Sequence, residues 1–472
     1  MVAEALVKKV RINIPAHRFF LCVAPVMCLL MVWLTPPFQV ADERAHFFRI
    51  YQISEGQWHA VKFEHRVGGF MPVSLLHTAL AFANMPFQPQ QKLNRDLWCQ
   101  AWLIPLRPEE RVFTDFSGAG YMSLCSYLPQ AAGMRIGAIF NSPPIALLYL
   151  GRLVNAIGWC LFVYLALRLI PTASWLLTAL ALAPMSFFQA ASLSYDATIN
   201  GLSFLLLALV LRRAFAGDYG LNWKDLFIWM LLGGAIIVSK PFYAALALLV
   251  FIVPPALAGK MSHYAKAILF LAVVIAICLG PGSWRHAAAN FMNYDEYNPA
   301  FRNTQAFMPG SDTTQQARYM LSHPGSFLRA GVFEAVNVVN YAGWIGILGW
   351  LDTPFPGWFY LGFGLLVLFL VATDRAPDVR IFVWQRILLV GIAALAAASV
   401  CFTLYLTFSP VGARFITGMQ GRYLIPIMPL ALIALHGRPV RMPAAWCYQL
   451  IPVILVAVQA ITVTVILRRY YF

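Results

Sequence analysis

The sequence predicts an all-α polytopic integral membrane protein with about 11 transmembrane helices. Of its 472 residues, 60% are hydrophobic and only 11% are charged. A soluble domain carries about 25% charged residues, so this composition excludes the ordinary globular classes. Apolar runs near the ~20 residues needed to cross a bilayer recur along the chain. Alternating apolar and polar patterns are absent, which argues against a barrel. The net charge of +15 sits largely in short basic loops, as the positive-inside rule requires, and does not indicate nucleic acid. The whole chain, 1–472, reads as one membrane domain.

Residues 1–18 carry Lys8, Lys9, Arg11 and Arg18 and are expected in the cytoplasm. The first span is expected over 19–34. No small-residue cleavage site follows it, so it reads as a retained helix and not a signal peptide. Residues 35–143 form a first long extracytoplasmic loop with juxtamembrane amphipathic helices. The loop opens on Pro36-Pro37, which end the first helix, because proline lacks a backbone donor and restricts the residue before it. Asp42-Glu43 then open a second helix. On it Asp42, His46 and Arg49 fall at i, i+4 and i+7 and share a face, while Phe47, Ile50 and Tyr51 form an apolar stripe. Asp42 reads either as the N-cap of a surface helix or as a carboxylate facing a cavity. The segment 121–140 is interrupted by Gly133, Arg135 and Gly137 and should lie at the interface, not span.

Further spans are expected at 144–169 and 173–192, and then from Ser194-Tyr195-Asp196 to Arg212-Arg213. Others follow at 226–239, 242–257 and 267–280, with Lys240-Pro241 at an outer end. A second large extracytoplasmic loop occupies 281–356. Spans ending before Asp374 and covering 387–407 follow. The extracytoplasmic loop 409–423 carries Gly418-Met419-Gln420-Gly421-Arg422-Tyr423, and the last spans end at His436 and cover 444–467. This count places the C-terminus outside and sets Arg468 and Arg469 against the positive-inside rule.

The ionisable residues near span ends gather on the outer side: Asp42, Glu43, His46, Arg49, Asp196, Lys240 and Arg422. Charges at membrane depth are costly and usually face a cavity or a partner. Each one alone reads as a snorkelling or paired interface charge, but their convergence suggests a site. A phosphate-binding loop of the Walker type, an H-E-x-x-H motif and a G-x-S-x-G motif are all missing, which argues against ATP-driven, zinc-protease and serine-hydrolase chemistry. The eight cysteines show no metal-ligand spacing, so no metal site is expected; Cys99 and Cys125 share a loop, which leaves a disulfide open. A carboxylate can act as general base on a hydroxyl, and arginine or lysine can hold a departing phosphate. That combination fits transfer from a lipid-phosphate donor held in the bilayer.

Seven segments appear in order: PPFQVADERAHFFRIYQISEG, SYLPQ, GRLVNAI, APMSFFQAASLSYDA, SKPFY, LGWLDTPFP and GMQGRYLIPIMPL. On these, residues 30–435 resemble the predicted bacterial membrane proteins of domain-of-unknown-function family 2142 (DUF2142). That family is expected to read close to P-P-D-E-x-x-H, whereas here Phe38-Gln39-Val40-Ala41 intervene before the acids. The layout is similar to the GT-C superfamily of integral-membrane glycosyltransferases, which carry a catalytic acid in the first outward loop and use polyprenyl-phosphate sugars. An Arg-Tyr pair at the start of a late helix also recurs among them.

The resemblance implies an inverting glycosyltransferase in a bacterial inner membrane, acting on its extracytoplasmic face. The donor would be a polyprenyl-phosphate sugar, and the acceptor a glycan or envelope polymer. Asp42 or Glu43 would be the base. Arg422, Lys240 and Tyr423 would bind the donor phosphate. His46, Arg49, Asp196, Tyr195 and Gln420 would orient these groups or bind sugar. No cofactor is expected beyond the lipid-linked donor, and two adjacent carboxylates are weak grounds for a divalent ion. The rival readings are a transporter or flippase of lipid-linked saccharides, and a non-catalytic part of a polysaccharide-assembly complex.

Overall fold

The computed structural model describes residues 14–215, 221–255, 260–280, 287, 289–302, 308–374, 376, 378–436 and 445–472. Helix α1 (Ala16–Leu34) ends where Thr35 N donates to Met31 O, just before the two prolines. The first long loop then folds. Its elements are α2 (Glu43–Ser54), β1 (Val61–Phe63), β2 (Arg66–Pro72), α3 (Val73–Leu80), α4 (Arg95–Ala101), β3 (Arg111–Asp115) and α5 (Leu128–Ile139). The strands form an antiparallel sheet in the order β1-β2-β3, with Val61 opposite Gly68 and Gly68 opposite Asp115. Gly68 is required there, since a Cβ would lie 2.0 Å from Thr114 O. This sheet departs from the all-α expectation. Helix α5 has 12 residues, too short to span, and lies against α6 (Pro144–Leu169). Cys99 and Cys125 are free, so no disulfide joins them.

The next expected span is two short buried helices, α7 (Ser174–Ala181) and α8 (Pro184–Ala190). Pro184 lacks a donor and drives Ala183 out of helical geometry, to φ −59° and ψ 137°. The carbonyls freed at the break are taken up internally. Ser186 Oγ donates to Leu180 O at 2.9 Å and Gln459 Nε2 to Leu182 O at 2.8 Å. Ala173 caps α7 with φ 61° and no side-chain bond. The cap comes instead from Asp374, which accepts from Leu176 N at 2.8 Å.

Helix α9 (Asp196–Phe215) and α10 (Trp223–Ser239) follow, then a 3₁₀ helix Pro241–Ile252 and α11 (Lys260–Leu279). The second long loop folds as α12 (Thr313–Ser322), α13 (Gly325–Val336), α14 (Val338–Gly346) and the two-residue strands β4 (Ile347–Leu348) and β5 (Thr353–Pro354). The chain closes with α15 (Gly357–Thr373), α16 (Val383–Thr407), the 3₁₀ turn Gly421–Leu424, α17 (Met428–Ala434) and α18 (Ala445–Tyr470). Among the described residues, six helices are long and apolar enough to cross a membrane: α1, α6, α9, the 262–279 stretch of α11, α16 and the 449–470 stretch of α18. Pro241–Ile252 and α15 are shorter apolar helices. The protein is thus a mainly helical multi-pass membrane protein, but several expected straight crossings are short or broken at Pro184, Pro241, Pro426 and Pro429.

The C-terminal end of α18 lies against the first long loop. Leu93 N donates to Tyr470 O at 2.8 Å, and Lys92 Nζ to Arg468 O at 2.8 Å. Arg469 is buried and paired with Asp352 of the second long loop at 3.1 Å, and it also donates to Met85 O at 2.9 Å. Of the two arginines that conflict with the positive-inside rule, Arg469 is therefore neutralised inside the protein, whereas Arg468 is exposed.

Candidate functional site

The site is built on the strained turn between α1 and α2. Phe38 and Asp42 have φ of 63° and 64°. Two bonds from distant parts of the chain hold this turn: Trp350 Nε1 donates to Phe38 O at 3.0 Å, and Tyr470 Oη to Gln39 O at 3.2 Å. Asp42 stands at the N-cap position of α2, yet its side chain makes no capping bond. Aspartate tolerates the left-handed backbone better than most residues. Its carboxylate reaches across to Arg422, with Oδ2 2.8 Å from Nη2. The Asp42 side chain is 42% exposed, whereas that of Arg422 is 6% exposed.

Arg422 lies in the 3₁₀ turn Gly421–Leu424, pressed onto α14. A Cβ at Gly421 would stand 2.3 Å from Asn340 O, so only glycine permits this approach. The same guanidinium also faces Asp196, with Nε 3.6 Å from Oδ2, an ion-pair distance. Asp196 is in the first turn of α9, where the helix dipole favours an anion. Its Oδ1 is bonded by Lys240 Nζ and its Oδ2 accepts from Gln189 Nε2 at 3.3 Å. Lys240, at the junction of α10 and the Pro241 helix, is buried between two rings: Nζ is 4.7 Å from the Tyr195 centroid and 4.6 Å from that of Tyr423. Two carboxylates and two cations from four distant parts of the chain thus form one chain of contacts, Asp42–Arg422–Asp196–Lys240.

His46, one turn after Asp42, borders the cluster. Its Nδ1 is 2.8 Å from Tyr127 Oη, and its ring meets Tyr195 edge-on at 5.2 Å. Burial lowers its pKa from 6.5 to about 4, with Asp42 and Asp196 opposing that shift and Arg422 and Lys240 adding to it. The imidazole is therefore neutral at pH 7. Between pH 4 and 6.5 the unfolded chain binds the extra proton, so stability rises with pH across that window. Thermal unfolding in detergent should show stability complete above pH 6.5 and falling by roughly 3 kcal/mol towards pH 4. His46→Gln should flatten that slope; an unchanged slope would assign it to another group.

Two expected site residues lie apart. Glu43 is sealed against Arg152, both fully buried, with Nε to Oε1 at 2.8 Å and Nη2 to Oε2 at 2.5 Å. Leu193 N donates to the same carboxylate at 3.1 Å, and Arg152 also donates to Val32, Thr35 and Pro36 carbonyls. Glu43 and Arg152 thus tie the end of α1 and the start of α2 to α6 and the loop before α9. Arg49 turns away from Asp42 and bonds Gln52, Trp58 O and Met122 O. The expected shared face of Asp42, His46 and Arg49 is lost because Asp42 is outside the helix, in left-handed geometry. Gln420 is half-buried beside Arg422 in sequence, and its Oε1 has no hydrogen-bond partner.

Removing one member of a buried pair strands a charge. Arg152→Met is expected to destabilise the fold by roughly 3–5 kcal/mol, read as a lowered unfolding midpoint. Replacing Glu43 and Arg152 together with apolar residues of similar volume should recover much of the loss. A single variant as stable as wild type would overturn the tie.

Sequence reasoning passed over Arg152, Tyr127 and Gln189. For Arg152 a signal existed, since an arginine well inside a long apolar helix, away from its ends, implies a buried partner. Among the described residues no group of three or more His, Cys, Asp or Glu side chains is placed to hold a metal ion. A family model described as predicted membrane protein (DUF2142) matches residues 26–431, most of the chain. No curated protein and no solved structure matches it significantly.

Proposed function

We propose that this chain, which belongs to the DUF2142 family of predicted membrane proteins, is an inverting glycosyltransferase that uses a polyprenyl-phosphate sugar. The observation that carries the reading is Asp42: a half-exposed carboxylate held 2.8 Å from a buried arginine that is itself linked through Asp196 to a buried lysine. An acid at the mouth of the cluster with cations behind it suits a reaction that removes a proton from a hydroxyl and releases a phosphate.

In that reaction Asp42 takes the proton from an acceptor hydroxyl. The oxygen attacks the anomeric carbon on the face opposite the phosphate. The carbon–oxygen bond to phosphate breaks and its electron pair leaves with the polyprenyl phosphate. Arg422 and Lys240 face the developing negative charge, which preorganised cations stabilise without rearranging. Asp196 holds both cations in place. The Tyr195 and Tyr423 rings wall the cationic pocket, and neutral His46, bonded to Tyr127, packs against Tyr195. In the resting state Asp42 occupies Arg422, so an arriving phosphate displaces Asp42 and frees it to act as base. The acceptor reads as a glycan or envelope polymer on the extracytoplasmic face of a bacterial inner membrane.

The test uses purified protein in nanodiscs with a polyprenyl-phosphate sugar and a glycan acceptor. A glycoside of inverted anomeric configuration, together with free polyprenyl phosphate, supports the reading. Movement of the lipid-linked sugar between leaflets with no covalent product assigns a flippase instead. The internally satisfied break between α7 and α8 speaks against that alternative, because transporters leave such breaks open to a substrate cavity.

A further inference from the structure

The second long loop carries an apolar face that is exposed among the described residues. On α13, Leu328, Val332 and Val336 follow at i, i+4 and i+8, and they are 68%, 57% and 73% exposed. Phe333 and Val339 extend the face, and Phe333 meets exposed Phe415 at 6.3 Å. Exposed apolar residues scattered singly are ordinary, but a continuous stripe marks a contact surface. The acid of this helix is withdrawn: Glu334 is buried and accepts from Asn340 at 2.8 Å. The charges left at the rim are basic, with Arg318, Arg329 and Arg414 all exposed.

The opposite side of α13 fixes its height. Phe327 meets Phe402 edge-on at 5.7 Å and Tyr405 at a tilt at 5.9 Å, in the last turns of the membrane-crossing helix α16. Phe402 is itself exposed, as are Leu395 and Ile387 further along α16. The apolar face of α13 therefore continues the apolar surface of a crossing helix at the end nearest the site. An apolar face with a basic rim at that level is the pattern of a helix lying in an anionic lipid interface.

We propose that α13 is seated in the bilayer leaflet on the site's side, with its apolar face among the upper acyl chains and Arg318, Arg329 and Arg414 among anionic headgroups. This does not depend on the transfer chemistry. It has a structural consequence for the site all the same. Helix α14 follows α13 after the single residue Asn337, and it is α14 that Gly421 touches. The leaflet-seated helix thus supports the turn that carries Arg422.

The test places a photoreactive benzoylphenylalanine at Val332, at Val336 and, as control, at exposed polar Thr314 on α12. The protein is reconstituted in nanodiscs of phosphatidylcholine and phosphatidylglycerol. Lipid adducts at 332 and 336 and none at 314 are expected. Phosphatidylglycerol should be enriched among the adducts, and that enrichment should vanish in the Arg318→Gln/Arg329→Gln/Arg414→Gln protein. Absence of lipid adducts at 332 and 336 overturns the proposal, as does a cross-linked dimer there, which assigns the face to a second copy. Equal lipid labelling at 314 also overturns it, because labelling is then not confined to the face.

Discussion

Asp42→Asn is expected to lower the turnover of sugar transfer by about 10²–10⁴-fold, the usual contribution of a positioned general base. The donor KM should stay level or fall. Asparagine keeps the shape and an oxygen that can accept from Arg422, so the turn should survive. Its amide cannot take a proton at neutral pH. It also competes less well than a carboxylate for the guanidinium, whose Nη2 lies 2.8 Å from Asp42 in the resting protein. A donor phosphate should therefore find Arg422 easier to occupy, and decaprenyl phosphate in nanodiscs should bind the variant more tightly. A fall in turnover with unchanged or lower KM is the signature of an interaction used in the transition state. Glu43→Gln should behave in the opposite way. It strands Arg152 and lowers stability, while the molecules that remain folded should turn over near the wild-type rate. Wild-type turnover in Asp42→Asn would remove Asp42 from the base role and, with it, the transferase mechanism.

The difference between these neighbouring acids shows where the sequence is legible and where it is not. The prolines after α1 and the acids that follow are plain signals for a stop and a restart. Helical spacing puts Asp42 and Glu43 about 100° apart, so only one faces a given direction. Which one does so is set by Arg152, 109 residues later, and by a left-handed residue that no local preference demands. The helix over 144–169 is readable because Pro143-Pro144 and the basic residue near its end bound one apolar run. Asp196, Lys240 and Arg422 each sit at the end of an apolar run, and counting alternate crossings brings them to one side. Their contacts need tertiary packing, above all the approach of Gly421 to α14. The sheet was hidden because its β1–β2 turn uses Glu64 and His65, both with positive φ, in place of the Asn-Gly that marks such turns. The break between α7 and α8 was hidden because apolar composition does not report that Gln459 satisfies Leu182 from the last helix.

Arg422→Gln should then lower transfer by about 10²–10³-fold, the typical loss when one preorganised donor to a developing anion is removed. Here the donor KM should rise together with the fall in turnover. Arg422 is buried against Asp196 and cannot be replaced from solvent, and Lys240 is already committed to Asp196. Arg422→Lys keeps the charge but loses the planar guanidinium that meets Asp42 through Nη2 and Asp196 through Nε. It should restore phosphate binding more than turnover, because a point charge attracts the anion without fixing its geometry. The double variant Asp42→Asn/Arg422→Gln separates the two roles. If Arg422 both positions Asp42 and holds phosphate, the double variant should be much less impaired than the product of the single effects, since one loss already disables part of the other. Multiplicative effects would mean that the two groups act independently and that the bond between them is incidental. Wild-type donor KM and turnover in Arg422→Gln would remove the phosphate role and leave the cluster a purely structural ion-pair network joining α2, α9 and the Gly421 turn.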